Sequence, residues 1–200
     1  MAKKITAIVS LVIIGLLIIA TIVMANVNVD YKINCAKPDK IYVQYGSSTA
    51  QPIAYFPGEG ENGEVYNEIW SLISNASKQN SLSALFNGNL NKKAEVVVAE
   101  NPTNGLTGVS ANMFVTFVYN NPQNLMEGNK KYKDGDGQSA QYTELVFAVT
   151  EMNEQTSMKV YIKDYVKDPT ASTKYYTRYY LLTANLGDLH TYLQDIKGKK

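Results

Sequence analysis

Tyr175-Tyr176-Thr177-Arg178-Tyr179-Tyr180 is the densest run of recognition-type side chains in a sequence that holds 15 tyrosines. Laid out as a strand, it puts Tyr175 and Tyr179 on one face and Tyr176, Arg178 and Tyr180 on the other. Tyr and Arg dominate binding hot spots, and rows of aromatic rings stack on sugars or settle at a bilayer surface. Tyr175, Tyr176, Arg178, Tyr179 and Tyr180 are therefore the candidate binding surface, and the face carrying Arg178 is expected to expose an aromatic patch. The plainer explanation is that tyrosine favours strands and keeps its hydroxyl wet.

Material for catalysis is thin. His190 is the single histidine, and its spacing from Leu186 and Leu193 puts it at the border of an apolar helix face. No serine is followed three positions later by lysine, and no Gly-x-Ser-x-Gly elbow occurs, so the common serine-hydrolase signatures are absent. Cys35 is the single cysteine, which excludes an intramolecular disulfide and reads as a small buried hydrophobe. Lys32-Ile33-Asn34 before it does not fit a lipobox. One His and one Cys cannot make a zinc site without carboxylates. Asp134-Gly135-Asp136-Gly137 suggests calcium, yet position twelve of an EF-hand loop counted from Asp134 is Leu145, where a bidentate Glu is required. Glu59, Glu61 and Glu64 could pair for glycoside chemistry, but their glycine-rich setting reads as a solvated loop without a pocket. No metal and no cofactor is expected, and no catalytic residue is assigned.

The elements that would position these residues follow from periodicity. Val27 to Cys35 alternates as a half-buried strand, and Lys40 to Tyr45 and Gln51 to Phe56 read as strands flanking a Gly46-Ser47-Ser48 turn. Residues 57–63 read as a loop. Val65, Ile69, Leu72, Ile73 and Ala76 recur at helical spacing, giving a helix over 64–78, with a second short helix from Ser81 to Asn87. Ala94 to Ala99 and Ala111 to Tyr119 read as strands, the latter apolar on both faces and therefore central. Asn121 to Ala140 reads as a long polar connection. Strands near 141–150, 157–165 and 175–183 then form an antiparallel meander. Leu186, Leu189, Leu193 and Ile196 mark a closing helix, with Asn185 as cap and Asp188 in its first turn. The fold class is α+β: an N-terminal transmembrane helix, then a mainly antiparallel sheet with two substantial helices.

The address comes from the N-terminal segment. Ile5 to Ala25 is apolar except for Thr6, Ser10 and Thr21, and as a helix it spans about 30 Å, the thickness of a bilayer's hydrocarbon core. Lys3 and Lys4 before it put residues 1–4 in the cytoplasm, 5–26 in the membrane and 27–200 outside. Signal peptides have shorter apolar cores, which favours a retained anchor. Val23-Met24-Ala25 also fits the residues read by a signal peptidase, so cleavage before Asn26, giving a secreted protein, is the alternative. A pilin-type subunit fits less well, because no acid precedes Asp30 and strand-like alternation begins almost at once. A strand starting at Val27 would hold the domain close to the headgroups.

Composition narrows the partner. Of 19 basic residues, setting aside Lys3 and Lys4 leaves 17 against 18 acidic, a formal charge of −1. Nucleic-acid binding needs a clustered basic surface, and the basic residues here are scattered among acids, with Lys197, Lys199 and Lys200 clustered at the very end. The expectation is a membrane-anchored, non-catalytic binding or assembly module of the cell envelope with a protein or envelope-polymer partner. A carboxylate-dependent envelope hydrolase is the enzymatic alternative, and it requires two acids converging in a cleft.

Overall fold

The computed structural model describes residues 2–26, 28–30, 35–46, 51–76, 78–80, 95–98, 111, 113–127, 130–133, 135, 137–150, 158–164, 178–182 and 186–198. Two compact units emerge: Met1–Asp30 with Lys78–Lys92, and Tyr31–Ser77 with Lys93–Lys200. The first holds helix α1 (Ala2–Asn26) and a two-stranded antiparallel ribbon of β1 (Asn28–Asp30) and β4 (Lys78–Asn80). The large apolar side chains of α1 from Ile5 to Val23 are exposed. The stretch Lys4–Ala25 is long and apolar enough to cross a membrane. Its polar Thr21 hydroxyl donates back to the Leu17 carbonyl at 2.8 Å, so it needs no water.

The second unit is built on a seven-stranded sheet in the order β3-β2-β6-β9-β10-β11-β5, antiparallel at every junction. The strands are β2 (Lys40–Tyr45), β3 (Ile53–Tyr55), β5 (Glu95–Val98), β6 (Met113–Asn124), β9 (Gln141–Val149), β10 (Met158–Asp164) and β11 (Arg178–Leu182). The expected meander is the β9-β10-β11 run, and the doubly apolar strand β6 is interior. Period-two alternation gathers one row of apolar side chains per face. Ile41 opposes Phe117, which opposes Leu145, which opposes Ile162. All four are fully buried. Helices α2 (Gly60–Ala76) and α3 (Gly187–Gly198) add Val65, Tyr66, Ile69, Ile73, Leu189 and Leu193 to this cluster. Trp70 and Phe147 pack on the Phe117 ring at centroid distances of 5.6 and 4.9 Å. Phe114 and Val146 are also buried but stand on the sheet's other face, so the interior strands are covered on both sides.

Two expectations are corrected. Residues 60–63 belong to α2, not to a loop, because Gly63 lets the 57–60 turn fold back onto the first helical turn. A Cβ there would sit 2.0 Å from the Gly58 carbonyl oxygen. Gly60 has φ +78°, a left-handed value that favours glycine. Asn121 to Ala140 is likewise not a featureless connection. It continues β6 to Asn124 and adds a hairpin of β7 (Met126–Glu127) and β8 (Lys130–Lys131). Leu125 is buried, its amide donates to Ala140 O at 2.9 Å, and the Tyr132 amide donates to Leu125 O at 2.8 Å. The segment's hydrogen-bonded backbone and one apolar anchor offset its polar composition. The predicted helix at Ser81 to Asn87 and the cap Asn185 lie outside the described residues.

Candidate functional site

Asn62 organises the corner where β3 meets α2. The Phe56 amide donates to Asn62 Oδ1 at 2.6 Å, and Asn62 Nδ2 donates to Ala54 O at 3.2 Å. Since β3 is the outermost strand on that side among the described residues, one side-chain amide occupies backbone groups that would otherwise face outward as an open edge. Phe56 is left 49 % exposed beside this corner.

Against the corner lies a cleft of about 340 Å³ lined by Tyr55, Glu61, Asn62, Glu64, Val65, Tyr192 and Ile196. Three elements build it. Tyr55 comes from β3; Glu61, Glu64 and Val65 lie at i, i+3 and i+4 on one stripe of α2; Tyr192 and Ile196 lie at i and i+4 on α3. Helix α3 is held in place by its buried Leu189 and Leu193 and by the Tyr45 hydroxyl, which donates to Leu193 O at 3.0 Å. The sequence reading missed this site. Glu61 and Glu64 look like solvated loop residues until α2 is seen to begin at Gly60, and Tyr192 is more than 120 positions away.

The Tyr192 hydroxyl is held protonated: burial pushes it up first, and Glu68, Tyr55 and Glu64 add to it. Beneath α3, Tyr45 is pushed up to about 12, chiefly by burial and then by Tyr55 and Tyr192. The cleft therefore offers the carboxyl groups of Glu61 and Glu64, two tyrosines and an apolar wall of Val65 and Ile196. Glu59, the third acid of the sequence motif, is exposed on the turn and does not line it.

Other candidates are placed as follows. Tyr175 and Tyr176 lie outside the described residues. In the ladder Arg178 pairs with Ile162 and Val98, Tyr179 with Tyr161 and Val97, and Tyr180 with Val160 and Val96. His190 is half-buried, and its Nε2 has no hydrogen-bond partner among the described residues. Cys35 is half-buried, and burial first and then its interaction with the Tyr119 hydroxyl raise that hydroxyl far above its ordinary value. Asp134 and Asp136 are not described, and among the described residues no three His, Cys, Asp or Glu converge as a metal site. Compared with family models, curated proteins and solved structures, the chain finds no match.

Proposed function

We propose that the protein is a non-catalytic binding or assembly module of the cell envelope, anchored in a membrane by Ile5 to Ala25 and working outside the cytoplasm. The observation that carries binding is the cleft between β3, α2 and α3, where an exposed Phe56 adjoins an acidic, tyrosine-lined recess. Support for the address is α1, which is long and apolar enough to cross a membrane and whose large apolar side chains are exposed rather than packed in a core. Partner contact is assigned to the cleft and, as a second surface, to the tyrosine-rich segment 175–180 read from the sequence. A photo-crosslinking residue at Phe56, expressed in the full chain in cells, should give a discrete adduct that is absent with the same residue at exposed Lys131. Equal labelling at both positions would end the proposal. Fractionation with an intact mass of the mature chain tests the address: a membrane-bound chain retaining Lys3 and Lys4 supports the anchor, and a chain beginning at Asn26 supports the secreted alternative.

A second reading has one observation in its favour, because Glu61 and Glu64 do line a single cleft. Carboxylate-dependent hydrolysis also requires one carboxyl enclosed away from water, and both glutamates are exposed. Binding is the better account.

A further inference from the structure

We infer that the cleft accepts an alkylammonium or guanidinium group, carried either by a lysine or arginine side chain of a partner polypeptide or by a free amine. This rests on the reading of the cleft as the binding site. Glu61 and Glu64 line it, Glu68 lies close enough to act on Tyr192, and no basic side chain lines it. Neither Glu61 nor Glu64 has a charged partner among the described residues, and Lys197, next to Ile196, sits over the Tyr45 ring at 5.4 Å, so the described lining carries negative charge that disfavours anions and rewards cations. Its volume of about 340 Å³ is at the small end of ligand pockets, roughly 300–1,000 Å³. That admits one extended side chain and excludes a docked helix. Val65 and Ile196 offer surface to a methylene stem, while the Tyr55 and Tyr192 rings suit the cationic head by cation–π attraction. A divalent metal is the weaker occupant, because no three-ligand set converges among the described residues.

The test uses the full chain in detergent micelles with n-butylammonium, ethylguanidinium, neutral 1-butanol and the peptide acetyl-Gly-Lys-Gly-amide, followed by amide chemical shifts. The cations should shift resonances of Tyr55, Gly63 and Tyr192 saturably, with 1-butanol at least about tenfold weaker and the cationic binding weakened by salt. A Glu61→Gln, Glu64→Gln double variant should lose about tenfold or more in cation affinity while the sheet amides keep their shifts. Tighter binding of the peptide than of n-butylammonium assigns the group to a polypeptide; the reverse assigns it to a free amine. Equal binding of 1-butanol, or undiminished binding by the double variant, overturns the inference. If the cations fail while the Phe56 adduct persists, the cleft remains the partner site with a different ligand. If they bind while no Phe56 adduct forms, the assignment of the partner to this cleft fails instead.

Discussion

Buried tyrosines carry much of the polar structure in the larger unit. Tyr66 is fully buried and its hydroxyl donates to the Pro38 carbonyl; Tyr119 donates to Ala36 O at 2.9 Å. Both bonds tie residues 36–38, which lack ladder partners, to the helix and sheet. Tyr66→Phe leaves a buried carbonyl unsatisfied and should cost about 1–3 kcal/mol in urea unfolding. Tyr45 and Tyr66 are both pushed up to about 12, mainly by burial. A hydroxyl whose folded value exceeds the unfolded value of about 10 stabilises fully below pH 10 and loses that contribution as pH climbs toward 12. Stability measured across pH 9 to 12.5 should therefore fall in that window, and Tyr66→Phe should flatten the fall. Gly63→Ala puts a methyl carbon against the Gly58 carbonyl. It should destabilise by about 1–3 kcal/mol through forced backbone displacement. A Gly63→Ala protein as stable as the parent would show that the turn is not packed on the helix. At this scale the sequence was readable only for side chains whose partners are near in the chain. Nothing local connects Tyr45 to Leu193 or Tyr119 to Ala36.

At the scale of elements, periodicity carried the reading well wherever an apolar face was regular. Lys40 to Tyr45, Gln141 to Val149 and the closing helix all lie where alternation or helical spacing puts them, because burial on one face is a local pattern. It failed where one atom decides the backbone. Thr143 is the extra residue of a bulge: Lys163 and Asp164 on β10 oppose Glu144 and Tyr142 on β9. The bulge turns Tyr142 from the face of Glu144 onto the core face, where its ring meets Tyr119 edge-on at 5.5 Å. Asn62 closes the β3 edge by the same kind of single-residue device. Asn62→Ala should cost about 0.5–1.5 kcal/mol and, by freeing Ala54 O and the Phe56 amide, promote edge-to-edge association. Sedimentation velocity at rising concentration checks it; a variant that associates no more than the parent removes the protective role. Leu193→Ala, at a fully buried position of α3, should cost about 2–5 kcal/mol and open the Tyr192 side of the cleft, read as a lowered urea midpoint.

For the molecule as a whole, the two units treat their apolar side chains differently. Those of Ile5 to Val23 are exposed on a helix long and apolar enough to cross a membrane, whereas the sheet unit buries its apolar rows internally. Leu16→Lys puts a charge at mid-helix, at about 3 kcal/mol on insertion scales, and should shift the chain toward the carbonate-extractable fraction. Unchanged retention would place the anchoring elsewhere. By itself the sequence determined the long apolar N-terminal helix, the α+β class, the antiparallel meander, the interior position of β6 and the absence of an intramolecular disulfide. Each depends on composition or on a periodicity of two or 3.6 residues, which any window of the chain displays. Only the tertiary structure decided the strand order, the bulge at Thr143, the amide plug at Asn62 and the cleft that joins Tyr55, Glu61 and Glu64 to Tyr192. These arise from contacts between residues far apart in the chain, and from backbone approaches such as Gly63 on Gly58, for which no local pattern is a proxy.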